Sequence, residues 1–193
     1  MKNPVNDMPT KARILAATSA IFLEGGAKAL SVRAVAARAD LSTIGIYSHF
    51  QGKQGLLDAL YVEGFERVLR SLDVDGTGPA AVRQAAANYL ATAEEYQSHY
   101  RLIFGEPDRT YAPSDVAQQV GAQAFAKMLT LVATVLPADA DRAARQDAAM
   151  QVWSLIHGAV SLRQHSVAGL VDMDRWQDRT MAALDMLLAG LAA

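Results

Sequence analysis

The stretch SVRAVAARADLSTIGIYSHF (31–50) decides the fold, because it has the pattern of two short helices joined by a tight turn. Ser31 and Ser42 each precede a helical run, and a serine hydroxyl can accept a hydrogen bond from an early backbone N–H. We therefore expect both serines to cap helices, over about 32–39 and 43–49. Small residues such as Ala36 allow the helices to cross closely. Ile46 and Phe50 are four residues apart, which predicts the inner face of the second helix.

This pattern is typical of a helix-turn-helix that reads DNA. A short helix fits the major groove, and its N-terminal turn meets base edges while neighbouring groups bind phosphate. Thr43 can hydrogen-bond bases, Ile44 can contact a thymine methyl group, and Gly45 lets the backbone come close. The residues predicted to contact DNA are Ser31, Arg33, Ser42, Thr43, Ile44, Gly45, Tyr47, His49 and Lys53. Plain helix packing remains an alternative for the motif by itself, as do a core role for Tyr47 and a surface role for His49.

Helical periodicity continues outward on both sides, and no stretch alternates for the length of a strand, so the predicted fold is all-α. Gly25 and Gly26 are expected to end the first helix. Turn residues predict a boundary at SLDVDGTGP (71–79) and a loop at GEPDRTYAP (105–113). The nine predicted helices cover about 10–23, 32–39, 43–49, 53–70, 80–96, 98–104, 114–136, 138–167 and 172–191.

Two domains are predicted from this organisation. Residues 1–53 form a three-helix DNA-binding domain, and residues 54–193 form a helical bundle, with the helix at 53–70 as the link. The last two helices are long, and we expect them to pair with their copies in a four-helix interface of a homodimer.

Composition excludes several classes of site. The chain of 193 residues has no cysteine, which rules out disulfides, thiolate metal sites and a cysteine nucleophile. His99 and His165 lack partners at metal-ligand spacing, and there is no phosphate-cradling glycine loop. We expect no enzyme, no metal and no cofactor. The N-terminus lacks an apolar signal, and no run approaches the ~18 apolar residues of a membrane span, so the cytoplasm is the expected location.

Charge is distributed unevenly along the chain. Residues 1–70 carry a net charge of +3, whereas residues 71–193 carry −5, for a total of −2. A basic front half suits contact with phosphate, although counts this small also fluctuate by chance.

The motif and its flanks resemble the DNA reader of the TetR family. The resemblance runs without gaps over about 9–60 and includes Tyr47-x-His49-Phe50-x-x-Lys53. It implies phosphate contacts by Tyr47, His49 and Lys53, a DNA contact by Arg33, and base reading by Thr43, Ile44 and Gly45. Ile44 and Gly45 depart from the residues that many relatives carry there, which makes the reading surface less polar. We therefore expect a repressor that binds a pseudo-palindromic double-stranded DNA operator as a homodimer and is released by a small, apolar effector. The resemblance itself implies no particular effector.

The back half resembles one C-terminal subfamily of these regulators through Trp153, His157 and Gly158. This implies a domain for ligand binding and dimerisation. The candidate pocket residues are Tyr89, Phe104, Phe125, Met128, Met150, Trp153 and His157. Core packing is the alternative for Trp153, His157 and the methionines.

Two other classes of function are weighed against the repressor. A helical binding module that no longer reads DNA is disfavoured by the basic face of Arg33, Arg38 and Lys53. An enzyme has no constellation of residues in its favour.

Overall fold

The computed structural model describes residues 9–105, 111–164, 169–170 and 172–193. Within these residues the fold is all-helical with nine helices, as the sequence predicts. The helices are α1 (Thr10–Ala29), α2 (Val32–Ala39), α3 (Thr43–Phe50), α4 (Lys53–Ser71), α5 (Gly78–Glu95), α6 (Gln97–Phe104), α7 (Asp115–Ala133), α8 (Arg142–Gln164) and α9 (Trp176–Leu191). The predicted end of α8 near Val167, and His165, lie outside the described residues.

Contacts divide the described chain into two compact units. The first comprises the described residues among 1–65 and 96–121, and the second comprises the described residues among 66–95 and 122–193. α4 and α7 each contribute to both. The predicted boundary between 53 and 54 assigns functions to parts of the chain, and it stays a prediction.

The first unit has an apolar core. Ile46 and Phe50 of α3 are buried as expected, and Leu30, just before α2, and Val35 of α2 are buried with them. They pack with Ile14, Ile21 and Phe22 of α1 and with Leu56, Leu57 and Leu60 of α4. The apolar residues of α1, α2 and α3 thus lie around a shared core.

α1 is longer than predicted. Its helical hydrogen bonding reaches Ala29, and Gly26 interrupts the regular helix with a φ of 64°. Glycine adopts this left-handed conformation without steric cost, so the chain kinks there and resumes a last turn instead of stopping.

The second unit packs α5, α8 and α9 together. Alanines of α5, including Ala81 and Ala85, are buried, and their small side chains allow close helix approach. Val152 and Ile156 of α8 and Leu184 of α9 fill the remaining space. None of the described helices has an apolar stretch long enough to span a membrane.

Candidate nucleic-acid interface

The turn between α2 and α3 is fixed by local hydrogen bonds. The Ser31 hydroxyl accepts from the Ala34 N–H at 3.1 Å, which confirms the predicted cap of α2. At the other end, Asp40 adopts a left-handed conformation with a φ of 53°. The Arg13 guanidinium of α1 donates to the carbonyl oxygen of Ala39 at 2.5 Å. α1 therefore ties down the end of α2, a contact that sequence reasoning missed because 26 residues separate the partners.

α3 has one buried face and one outward face. Ile46 and Phe50 are buried, whereas 78% of Ile44 and 56% of Tyr47 are exposed. Thr43 and His49 are exposed as well, and Gly45 is half-buried. The structure therefore places these four side chains away from the core, and the packing alternative for Tyr47 does not hold.

The serines of α3 and its cap bond to the helix itself. Ser42 Oγ accepts from the Gly45 N–H at 3.2 Å, which confirms the second predicted cap. Ser48 Oγ donates to the Gly45 carbonyl at 2.9 Å. The other exposed side chains of the helix are Thr43, Ile44, Tyr47 and His49.

The junction of α3 and α4 contains two glycines, Gly52 and Gly55, whose structural role was not predicted from the sequence. Gly52 has a φ of 107°, and a Cβ atom there would lie 3.3 Å from Cε1 of Tyr47. The Tyr47 ring thus lies close over the turn. A Cβ atom at Gly55 would overlap the carbonyl oxygen of Phe50. These close approaches hold the last turn of α3 against the start of α4.

The predicted basic residues differ in their surroundings. Lys53 is half-buried, and its ammonium donates to the Ala27 carbonyl at 2.6 Å. Arg38 forms a two-pronged ion pair with Glu24, with distances of 2.6 and 3.0 Å. Arg33 is exposed, and no acidic side chain within the described part of the chain pairs with it. Lys53 and Arg38, two of the three residues predicted to form a basic face, thus have partners within the protein. Arg33, the third, has no hydrogen-bond or ion-pair partner among the described residues.

A network of polar side chains joins α6 to α1 and α4. The hydroxyl oxygens of Ser19 in α1 and Ser98 in α6 are 2.6 Å apart, and Ser98 Oγ lies 3.2 Å from Nδ1 of His99. Nε2 of His99 lies 3.1 Å from the Glu63 carboxylate of α4. His99 therefore has a partner from another helix, and its bonds are those of a structural network.

The family of the chain follows from sequence comparison. A family model described as "Bacterial regulatory proteins, tetR family" matches residues 14–60, which span the reader. A second, described as "Tetracyclin repressor-like, C-terminal domain", matches residues 82–187, more than half of the chain. The chain belongs to the TetR family. TetR-family proteins are DNA-binding transcription regulators and not enzymes.

Solved structures show the same TetR fold over at least 93% of the chain. A protein of unknown function from Rhodococcus sp. RHA1 is 22% identical, with a TM-score of 0.76 and 100% of both chains covered. The TetR-family transcriptional regulator PfmR from Thermus thermophilus is 19% identical, with a TM-score of 0.69 and coverage of 93% of this chain and 98% of that one. A TetR variant from Acinetobacter baumannii AYE in complex with minocycline is 23% identical, with a TM-score of 0.59 and coverage of 93% and 94%. At these identities the likeness concerns the fold. No curated protein matches the sequence.

The candidate pocket residues of this TetR-family chain fall into different places. Trp153 lies between Phe125 and His157, with ring centroids 6.1 and 5.6 Å apart. These three rings are half-buried in the second unit, as is Met128. Tyr89 is buried in α5, and Met150 is exposed. Phe104 belongs to the first unit, where it packs on Phe65 and Tyr100 at 5.6 and 5.0 Å.

Burial governs the charge of this ring cluster. It lowers the pKa of the His157 imidazole below the ordinary value of 6.5. The ring is therefore neutral near pH 7, and the cluster of Phe125, Trp153 and His157 presents an uncharged aromatic surface.

Proposed function

We propose that this protein is a transcriptional repressor that binds a pseudo-palindromic operator as a homodimer and is released by a small apolar effector. The observation that carries the proposal is the outward face of α3, which a TetR-type reader would insert into the major groove. Thr43, Ile44 and Gly45 occupy the N-terminal turn, where base edges are met. Tyr47, His49 and Lys53 would hold phosphates from the end of α3 and the start of α4, and Ser31, Ser42 and Arg33 would hold them from the flanks.

The homodimer is supported by apolar side chains that the second unit leaves uncovered. Leu162 of α8 is 51% exposed, and Met186 of α9 is 72% exposed. Gly158 and Gly190 lie one helical turn from these residues, and a Cβ atom at either would meet nothing within 4 Å. Exposed apolar side chains and glycines on these two helices suit contact with a second copy of the chain, since a two-fold interface uses the same residues of both copies.

The effector site is proposed around Phe125, Trp153 and His157, with Tyr89, Met128 and Met150 from the same unit. Their uncharged, aromatic and thioether character favours an apolar ligand. The TetR variant of A. baumannii is in complex with minocycline, which supports a small-molecule ligand for this fold.

We also assign the C-terminal half to the Trp-His-Gly subfamily on Trp153, His157 and Gly158. Release from DNA requires that the ligand bind two conformations with different affinity. Such a regulator works in the cytoplasm.

The test is selection of genomic DNA fragments by the purified full-length protein. Recovery of a site with two-fold symmetry is expected. The protein is first refolded from denaturant to remove any bound ligand. If no fragment is then enriched above non-specific binding, the proposal is contradicted. A helical binding module without DNA recognition would then be the better interpretation.

A further inference from the structure

The reading helix lacks the side chains that recognise purines most specifically. α3 has the sequence TIGIYSHF, with no arginine, lysine, asparagine or glutamine. Arginine and lysine make the paired contacts to guanine, and asparagine and glutamine make those to adenine. Readout by α3 must therefore use other groups.

The polar atoms at its first turn are partly occupied. Ser42 Oγ accepts from the Gly45 N–H, and Ser48 Oγ donates to the Gly45 carbonyl. Gly45 adds no side chain, and a Cβ atom there would meet only Ser42 Oγ, at 3.7 Å. This leaves a notch beside Ile44 through which the backbone can approach a base pair.

Ile44 projects from this turn with 78% of its surface exposed. It contributes nothing to the buried core. Because removing an aliphatic side chain from water is favourable, covering Ile44 with a partner would be stabilising. The apolar group that B-DNA offers in the major groove is the C5-methyl group of thymine.

We infer that Ile44 is a specificity-determining residue that reads the C5-methyl group of one thymine in each half-site of the operator. The inference rests on the proposed function and adds the chemistry of recognition. It predicts that the contact depends on the methyl group and not on the hydrogen-bonding edge of the base.

The experiment uses a synthetic duplex of the operator that the full-length protein recovers. Each thymine is replaced in turn, in both half-sites, by deoxyuracil, which lacks the methyl group but keeps its hydrogen-bonding groups. For the wild-type protein we expect a loss of roughly fivefold to twentyfold in affinity at one position and little at the others. Ile44→Ala should bind the parent duplex more weakly by a similar factor and should not respond to deoxyuracil at that position.

A matched control comes from α7. Val116 is also β-branched and is 68% exposed. Val116→Ala should keep both the operator affinity and the response to deoxyuracil. Equal melting temperatures for the two variants and the wild type would show that the fold is intact.

Two results overturn the inference. One is an unchanged affinity of the wild type for every deoxyuracil duplex; the other is an Ile44→Ala variant that keeps the full response. In both cases tight binding to the unsubstituted operator leaves the proposed function standing. If the wild type binds no duplex specifically, the proposed function itself fails and the inference falls with it.

Discussion

Lys53 combines an observed contact with a predicted one. Its ammonium donates to the Ala27 carbonyl at 2.6 Å, and an ammonium has further N–H groups for a phosphate. We expect Lys53→Ala to weaken binding to all duplexes alike and to lower the slope of log K against log salt by about 1. Titrations of specific and non-specific duplexes over several salt concentrations measure this. A lower melting temperature with an unchanged slope would limit Lys53 to tying α4 to α1.

His157 should make stability depend on pH. Its folded pKa is lowered by burial, so the unfolded chain binds the proton more readily than the folded chain. The free energy of unfolding should therefore fall as the pH drops below the ordinary histidine value of about 6.5. His157→Gln should flatten this dependence between about pH 7 and pH 5, as measured by thermal unfolding. Parallel curves for variant and wild type would contradict it. The ring is half-exposed, so the effect should be small.

Local patterns explain which single residues the sequence could predict. The caps at Ser31 and Ser42 depend on an N–H three residues away, and the burial of Ile46 and Phe50 depends on helical spacing. The bond from Lys53 to Ala27 joins residues 26 apart, and the ion pair of Arg38 with Glu24 joins residues 14 apart. Neither follows from any local signal, because each depends on how the helices pack.

The junction of α3 and α4 offers a pair of glycines with opposite expected behaviour. Gly55→Ala would force a Cβ atom onto the Phe50 carbonyl, so we expect a loss of about 1–3 kcal/mol in the free energy of unfolding. Gly45→Ala meets only an ordinary contact with Ser42 and removes a poor helix former, so stability should be kept or raised by up to about 1 kcal/mol. Its operator affinity should fall, because the methyl group fills the notch on the reading surface.

Urea unfolding and operator titration together measure this pair. A destabilised Gly45→Ala, or a Gly55→Ala of wild-type stability, would contradict the geometry of the junction.

Helix ends show where sequence reasoning loses accuracy. α2 has the predicted bounds, since a serine cap and a left-handed residue mark its ends. α8 begins at Arg142 and not near 138, because the Asp141 carboxylate accepts from the Ala144 N–H at 2.8 Å and caps the helix there. α9 begins at Trp176 and not near 172, since the Asp172 carboxylate accepts from the Asp174 N–H at 2.8 Å and holds a turn.

At the scale of the whole molecule, α8 and α9 should hold two copies of the chain together. The double variant Leu162→Glu with Met186→Glu would place four carboxylates in the proposed interface, and unpaired buried charge is costly. We expect it to be monomeric in light scattering and to lose most of its affinity for the full palindrome. Val116→Glu, at an exposed site of α7, should stay dimeric. A dimeric double variant would remove this face from the interface.

The two compact units are defined by tertiary contacts, which could not be predicted from local sequence patterns. Turn residues at 71–79 predict a break along the chain, and the structure has a non-helical segment between α4 and α5 there. α6 nevertheless belongs with the reader, through hydrogen bonds such as that between Ser19 and Ser98, which are 79 residues apart. A regulatory function was predicted from the family resemblance, because no rule of residue spacing links a DNA-binding domain to a ligand-binding domain.

The most direct measurement of the central claim is the stoichiometry and salt dependence of binding to the selected operator. Two chains per two-fold-symmetric site, with a steep linear fall of log K against log salt, is the predicted result. Specific binding by one chain per site, or affinity that does not change with salt, would contradict a dimeric DNA-reading repressor.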